Sequence, residues 1–128
     1  MRLALSIAAA TVALASTPAS AFDHAAFCAA MTEYAQAGQL EAGVWPDDYT
    51  KNESISVRCS MRMIEFRRYL TLPPVDLDDA WRAHEKARWN AAHCSDPDWR
   101  EAIRNGWTIA ATLITENGER IWFAASCR

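Results

Sequence analysis

The sequence lacks the excess of basic residues that binding to nucleic acid or to an anionic membrane surface requires. It has 13 Lys and Arg against 16 Asp and Glu, a formal net charge of −3. Removing residues 1–21 takes away only Arg2, which leaves 12 basic residues against 16 acidic ones, or −4. About half of the chain (51%) is hydrophobic and six residues are tryptophan, which excludes an intrinsically disordered protein. The composition therefore predicts a folded protein that does not bind nucleic acid.

The sequence also lacks the short motifs that identify common catalytic and metal sites. It has no nucleophile elbow, P-loop, HExxH zinc motif, haem motif or calcium loop. The absence of a C-x-x-C pair argues against both a thiol redox enzyme and a structural zinc site. No cofactor and no metal are implied. Catalytic triads are defined by geometry rather than by residue order, so an enzyme stays open as an alternative.

Residues 1–21 have the pattern of a cleavable secretory signal peptide. Arg2 supplies the positive start, residues 3–15 form an uncharged apolar run, and residues 19–21 (ASA) match a signal peptidase site. The apolar run is shorter than the ~20 residues that a membrane span needs, so no span is predicted. The residues before Cys28 are too bulky for a lipoprotein box. Because eleven Arg against two Lys are typical of a GC-rich bacterium, we expect a periplasmic or secreted protein.

Residues 22–128 are interpreted as one domain, and this domain holds all four cysteines. An even number of cysteines in a small exported chain predicts two disulfides, which can connect in three ways. We favour pairing neighbours along the chain, because each bridge would then tie a helix to a strand. Each would close a loop worth roughly 3–4 kcal/mol of stability. The predicted pairs are Cys28–Cys59 and Cys94–Cys127.

Helix capping residues and periodic apolar positions predict three helices. The first is capped by Asp23 and stops at Gly38, and the third has proline at its first position. A loop over residues 39–52 separates the first helix from the strand that follows it. The predicted helices cover residues 23–37, 76–93 and 97–105.

From Ile55 onwards apolar and polar residues alternate, which predicts a strand. The alternation slips at Ile64, and we interpret residues 55–72 as one long strand with a bulge or bend. A helix over residues 60–70 is the alternative. Together with a C-terminal hairpin, this strand gives an α+β fold. The expected domain has a three-stranded antiparallel sheet (the long strand plus the hairpin), two to three helices packed on it, and two disulfides.

Residues 107–115 and 120–127 predict the hairpin. The Asn117-Gly118 pair favours a type I′ turn, in which Ile114 lies opposite Ile121. Both faces of the hairpin are then apolar, and both need cover. The first helix or the 39–52 loop could supply that cover. The alternative is a surface for a protein partner or a homodimer. The candidate partner-binding residues are Trp107, Ile109, Leu113 and Trp122.

Two further groups are candidate polar sites. His84 lies in the middle of an apolar stripe of the second helix, with Arg88 one turn later. A histidine at the edge of the core is the favoured interpretation, and a small site for an anionic ligand is the alternative. The long strand also carries a basic stripe, which we interpret as solvated or neutralised by nearby acids, with docking of an acidic partner as the alternative. The stripe consists of Arg58, Arg62, Arg67 and Arg68.

These observations favour a small exported, non-catalytic binding or interaction module, such as an envelope accessory factor or an enzyme inhibitor. Its partner would be a protein of the envelope or the medium, met through the tryptophan-rich hairpin face. A small periplasmic hydrolase using His84 with Arg88 is the first alternative. A carrier of a small ligand, with a pocket between helix and sheet, is the second.

Overall fold

A computed structural model describes residues 21–40, 49–73 and 76–128. The predicted signal peptide therefore lies outside the described residues, apart from Ala21, as does the greater part of the predicted 39–52 loop. Three helices and four strands follow one another along the described chain. They are α1 (His24–Leu40), β1 (Thr50–Arg58), β2 (Met63–Leu70), α2 (Asp79–Cys94), α3 (Pro97–Arg104), β3 (Thr108–Ile114) and β4 (Arg120–Ala124).

The four strands form one mixed sheet in the order β1-β2-β3-β4. The outer pairs are antiparallel, whereas β2 and β3 run parallel. The α+β class, the helices packed on a sheet and the two disulfides are confirmed. The sheet is larger than the three strands predicted, and its central pair is not antiparallel. The parallel pair arises because the chain crosses over through α2 and α3 before it returns beside β2.

The predicted long strand is a hairpin. A short 3-10 turn, Cys59–Met61, reverses the chain between β1 and β2. Arg62 closes this turn in the left-handed conformation (φ 49°, ψ 49°). The slip of the alternation at Ile64 therefore marks a reversal rather than a bulge. The turn was not predicted from the sequence, because Arg62 occupies a left-handed position where glycine or asparagine is usual.

The C-terminal hairpin forms where it was predicted, but its register is shifted by one residue. Ile114 lies opposite Arg120, and Thr112 lies opposite Trp122. The loop is not a type I′ turn, because Asn117 has no positive φ and only Gly118 does (83°). The Gly118 N–H donates to Thr115 O (2.9 Å), and Thr115 N–H donates to Glu119 O (2.9 Å). This is a three-residue loop with a glycine bulge, and the extra loop residue moves each strand position to a different partner.

Side-chain caps define the starts of α2 and α3. The Asp78 carboxylate accepts from Trp81 N–H (2.8 Å), so α2 begins slightly later than predicted. Asp96 accepts from Asp98 N–H (2.9 Å), and Pro97 opens α3 as predicted. Helix α1 continues past Gly38 to Leu40, so this glycine is not the stop that was expected.

All three helices pack on one face of the sheet, and Phe66 of β2 shows this directly. Its ring contacts Tyr34 of α1, Trp89 of α2 and Trp99 of α3, with centroid distances of 6.4, 5.3 and 6.4 Å. The core forms between the helices and this face. Its members from the sheet include Ile64, Phe66, Leu70, Ile109, Ala111, Leu113, Ile121 and Phe123.

Two disulfides fasten the helices to the ends of the strands, with the connectivity that was predicted. Cys28–Cys59 ties α1 to the turn between β1 and β2, with Cα atoms 5.7 Å apart. Cys94–Cys127 ties the last residue of α2 to the segment after β4, with Cα atoms 5.4 Å apart. Each bridge closes a loop of more than thirty residues, so each limits the freedom of the unfolded chain considerably.

Candidate functional site

The four candidate partner-binding residues do not lie on one exposed face. Trp107, Ile109 and Leu113 are buried at 3%, 0% and 4% exposure and belong to the core. Trp122 lies on the opposite face of the sheet and is 55% exposed. The expectation that these residues share a face fails because of the one-residue shift in register. Trp122 is the one member of this set that stays a candidate for contact with a partner.

The sheet face opposite the helices, here called the outer face, presents Trp122 beside polar groups. Glu65 lies near its centre and accepts from the Thr112 hydroxyl (3.1 Å). Arg58 and Arg67 approach the same carboxylate at 3.8 and 3.7 Å. Two aromatic residues flank this cluster, Tyr69 at 45% exposure and Trp122 at 55%. The strand registers define the outer face by Arg58, Glu65, Arg67, Tyr69, Thr112 and Trp122.

The predicted basic stripe is divided between different parts of the fold. Arg58 and Arg67 lie on the outer face and share Glu65, an acid that the sequence interpretation did not consider. Arg68 points to the helix side, where its guanidinium stacks over the Trp89 ring at 5.5 Å. Arg62 closes the turn between β1 and β2. Consecutive strand residues face opposite sides, so Arg67 and Arg68 could not have shared a surface.

His84 is not the histidine at the edge of the core that we favoured, and the hydrogen bonds of Arg88 go to other residues. His84 is exposed. Arg88 pairs with Glu85 (2.9 Å) and also reaches the Tyr49 hydroxyl (3.4 Å). The Glu85 carboxylate raises the pKa of the Arg88 guanidinium. This geometry gives no reason to prefer the enzymatic alternative.

The histidine that α2 buries is His93, four residues after the buried Trp89. The two rings pack in a tilted arrangement with centroids 4.1 Å apart, and His93 Nδ1–H donates to Trp89 O (2.9 Å). Burial lowers the pKa of His93, and nearby Arg68 lowers it further, although the bond to Trp89 opposes this. The signal that sequence reasoning missed is bulky residues four positions apart. Trp89 and His93 have this spacing, whereas the stripe chosen instead contained His84 and several alanines.

A cleft of about 380 Å³ opens between α1 and α2, with the sheet as its floor. Aromatic rings from all three helices and from β2 line it, and Arg88 and Glu85 stand among the lining residues. Its principal aromatic residues are Tyr34, Phe66, Trp89, His93 and Trp99. The cleft is large enough to admit a small aromatic or amphipathic molecule.

His24, the first residue of α1, makes side-chain contacts with the rest of the fold. Its Nδ1 accepts from the Trp107 indole N–H (3.0 Å), and Phe27 packs edge-on against the same indole (4.7 Å). These contacts seat the start of α1 beside β3. In the described part of the chain, no group of three or more histidine, cysteine or acidic residues could hold a metal ion.

None of the helices in the described ranges is long and apolar enough to cross a membrane. No known family model matches the chain, and no curated protein matches it by sequence.

Two solved structures share the fold. One is a protein from Pseudomonas aeruginosa whose secretion is inferred, with a TM-score of 0.62 at 7% identity, covering 82% of this chain and 94% of that one. The other is EpsS, the pilotin of the Vibrio vulnificus type 2 secretion system, with a TM-score of 0.52 at 17% identity. That match covers 80% of this chain and 91% of the pilotin. At these identities the likeness concerns the fold alone.

Proposed function

We propose that this protein is a small exported, non-catalytic accessory module that binds another protein through the outer face of its sheet. The observation that carries the proposal is Trp122, which stands 55% exposed on a sheet face opposite all three helices. A large aromatic side chain in such a position loses apolar exposure when a partner covers it, and tryptophan is enriched at binding hot spots.

Three further observations support the proposal. The predicted signal peptide and the two disulfides agree with a periplasmic or secreted location. The fold is shared with a pilotin of a type 2 secretion system. Tyr69 and the arginines around Glu65 give the outer face the mixture of aromatic and arginine residues that protein interfaces favour.

Photocrosslinking at the surface of the protein in its own host tests this proposal. A photoreactive phenylalanine analogue replaces Trp122, and in a matched control it replaces Glu101, an exposed residue of α3 on the helix side. We expect a discrete crosslinked protein from position 122 and none from position 101. If both positions give the same products, or position 122 gives none, binding through the outer face is refuted.

A second candidate function, carriage of a small ligand, is favoured by the aromatic cleft between α1 and α2. Indole-3-acetate is a suitable probe, because the cleft combines aromatic rings with the guanidinium of Arg88. Saturable quenching of tryptophan fluorescence is expected, weakened in Arg88→Ala and retained in Arg104→Ala, which alters an exposed arginine of α3. Quenching that does not saturate would rule out this candidate.

A further inference from the structure

Among the described residues, no strand pairs with the outer hydrogen-bonding edge of β4. Ala125 N–H donates to Ile109 O (2.8 Å) and Thr115 N–H donates to Glu119 O (2.9 Å), which fixes the alternation of the ladder. In an antiparallel pair every second residue bonds to the neighbouring strand. The backbone groups of Arg120, Trp122 and Ala124 therefore point away from β3. No other strand of the described chain lies on that side.

The next position in the same alternation shows that α2 runs beside this edge. Ser126 N–H points outward, and the Asn90 side chain of α2 accepts from it (2.9 Å). At the other end, Arg82 of α2 pairs with Glu119 (2.9 Å). These two contacts hold the helix at both ends of β4. Between them, the outward-pointing backbone N–H and C=O groups of β4 have no hydrogen-bond partner among the described residues.

Between the two fastenings lies a groove of about 520 Å³. One wall is the edge of β4, and the other consists of Arg82, Ala83 and Lys86 of α2. The groove runs along five strand residues, which is a usual length for a short added strand. An extended peptide could lie in it with its backbone bonded to β4.

The charges at the groove indicate which peptide it would accept. Lys86 lines the groove and Arg120 forms part of its strand wall, and neither has an acidic partner among the described residues. Arg82, the third basic residue at the groove, is already paired with Glu119 (2.9 Å). Acidic side chains complement such a site and speed association with it. A second copy of the chain would instead bring two basic edges together.

We infer that the β4 edge binds an acidic, extended segment of the partner protein by strand addition. The inference rests on the proposed function and locates part of its interface. Main-chain bonds to Trp122 and Ala124 hold the segment, and its acidic side chains meet Lys86 and Arg120. The indole of Trp122 stands beside the added strand on the outer face, where it can pack against the same partner.

Proline at position 124 tests the backbone bonding without touching Trp122. Ala124→Pro removes an N–H that points away from β3, so the ladder within the protein stays intact. Ala124→Ser keeps that N–H and serves as the matched control. The probe is a capped ten-residue peptide in which glutamate alternates with valine, and its counterpart has lysine in place of glutamate.

We expect the glutamate peptide to bind the oxidised mature protein and to slow amide exchange at residues 122 and 124. Ala124→Pro should weaken binding about tenfold, whereas Ala124→Ser should change it by less than about twofold. Lys86→Glu with Arg120→Glu leaves the backbone unaltered and should transfer the preference to the lysine peptide. This pair of charge reversals keeps the test valid if the proline variant fails to fold.

Three outcomes overturn the inference: no binding of the glutamate peptide, equal binding by Ala124→Pro, or dimerisation of the peptide-free protein that Ala124→Pro abolishes. The last would show that a second copy occupies the edge. Failure of the proposed function is separate, because crosslinking at position 122 could give no product while the peptide still binds. Conversely, a partner crosslinked at position 122 equally well in Ala124→Pro would refute strand addition alone.

Discussion

The two tryptophans of the C-terminal hairpin should contribute very differently to stability. A tryptophan side chain withdraws ~200 Å² from water, worth ~5 kcal/mol at 25 cal/mol per Å². Trp107 is 3% exposed, so its burial provides nearly all of this free energy. Trp107→Ala should therefore lower the free energy of unfolding by about 3–5 kcal/mol. Trp122 is 55% exposed, which leaves about 1.5–2 kcal/mol after allowance for residual burial in the unfolded chain.

Urea denaturation of the oxidised mature protein measures both values. A difference of about 2 kcal/mol in the free energy of unfolding is expected between Trp107→Ala and Trp122→Ala. Because Trp107→Ala could abolish folding in so small a domain, Trp107→Phe provides a second measurement. Phenylalanine keeps a ring in the core but loses the indole N–H that bonds to His24, so about 1–2 kcal/mol should be lost. Equal losses for the two alanine variants would refute both the strand register and the outer face built on it.

Three further predictions follow from particular backbone and side-chain environments. Burial lowers the pKa of His93 in the folded state, so the unfolded chain binds the proton first and stability falls as pH drops below about 6.5. Urea denaturation at several pH values should show a smaller dependence of the free energy of unfolding on pH in His93→Gln and an unchanged one in His84→Gln. The opposite pattern would contradict this role of His93. Gly118→Ala should lower the free energy of unfolding by about 1 kcal/mol. The added Cβ would meet no other atom, so the loss comes from the positive φ of 83°, which alanine adopts less readily than glycine. The free energy of unfolding of Arg62→Gly should exceed that of Arg62→Ala by about 0.5–1 kcal/mol, because glycine adopts the left-handed conformation of residue 62 more readily. A lower value for Arg62→Gly than for Arg62→Ala would contradict the left-handed turn.

The C-terminal hairpin shows how far local signals reach. Alternating residues and Asn-Gly located the two strands correctly, because both signals act within a few residues. The register was one residue off, because Asn-Gly fits two loop geometries that differ by one residue in length. The error moved Trp107 and Trp122 onto one face, although the fold places them on opposite sides of the sheet.

Helix α2 shows a different limit. Its existence followed from capping and length, but the choice of the buried face did not. An alanine-rich stripe containing His84 and a bulkier one containing Trp89 and His93 were both available on the same helix. The bulkier stripe is the one that is buried, because its Trp89 ring packs against Phe66 and Phe123 of the sheet. Helix periodicity alone does not rank two apolar faces.

The sequence by itself indicated the α+β class, the three helices, the C-terminal hairpin and the favoured disulfide pairing, but it merged β1 and β2 into one strand. The helices and the hairpin follow from capping residues, turn residues and periodicity, which act within a few residues. Tertiary structure alone decided the parallel contact of β2 with β3, the shared Glu65 carboxylate and the position of α2 beside the edge of β4. Each of these joins segments far apart in the chain, and such contacts depend on how whole elements pack together in three dimensions.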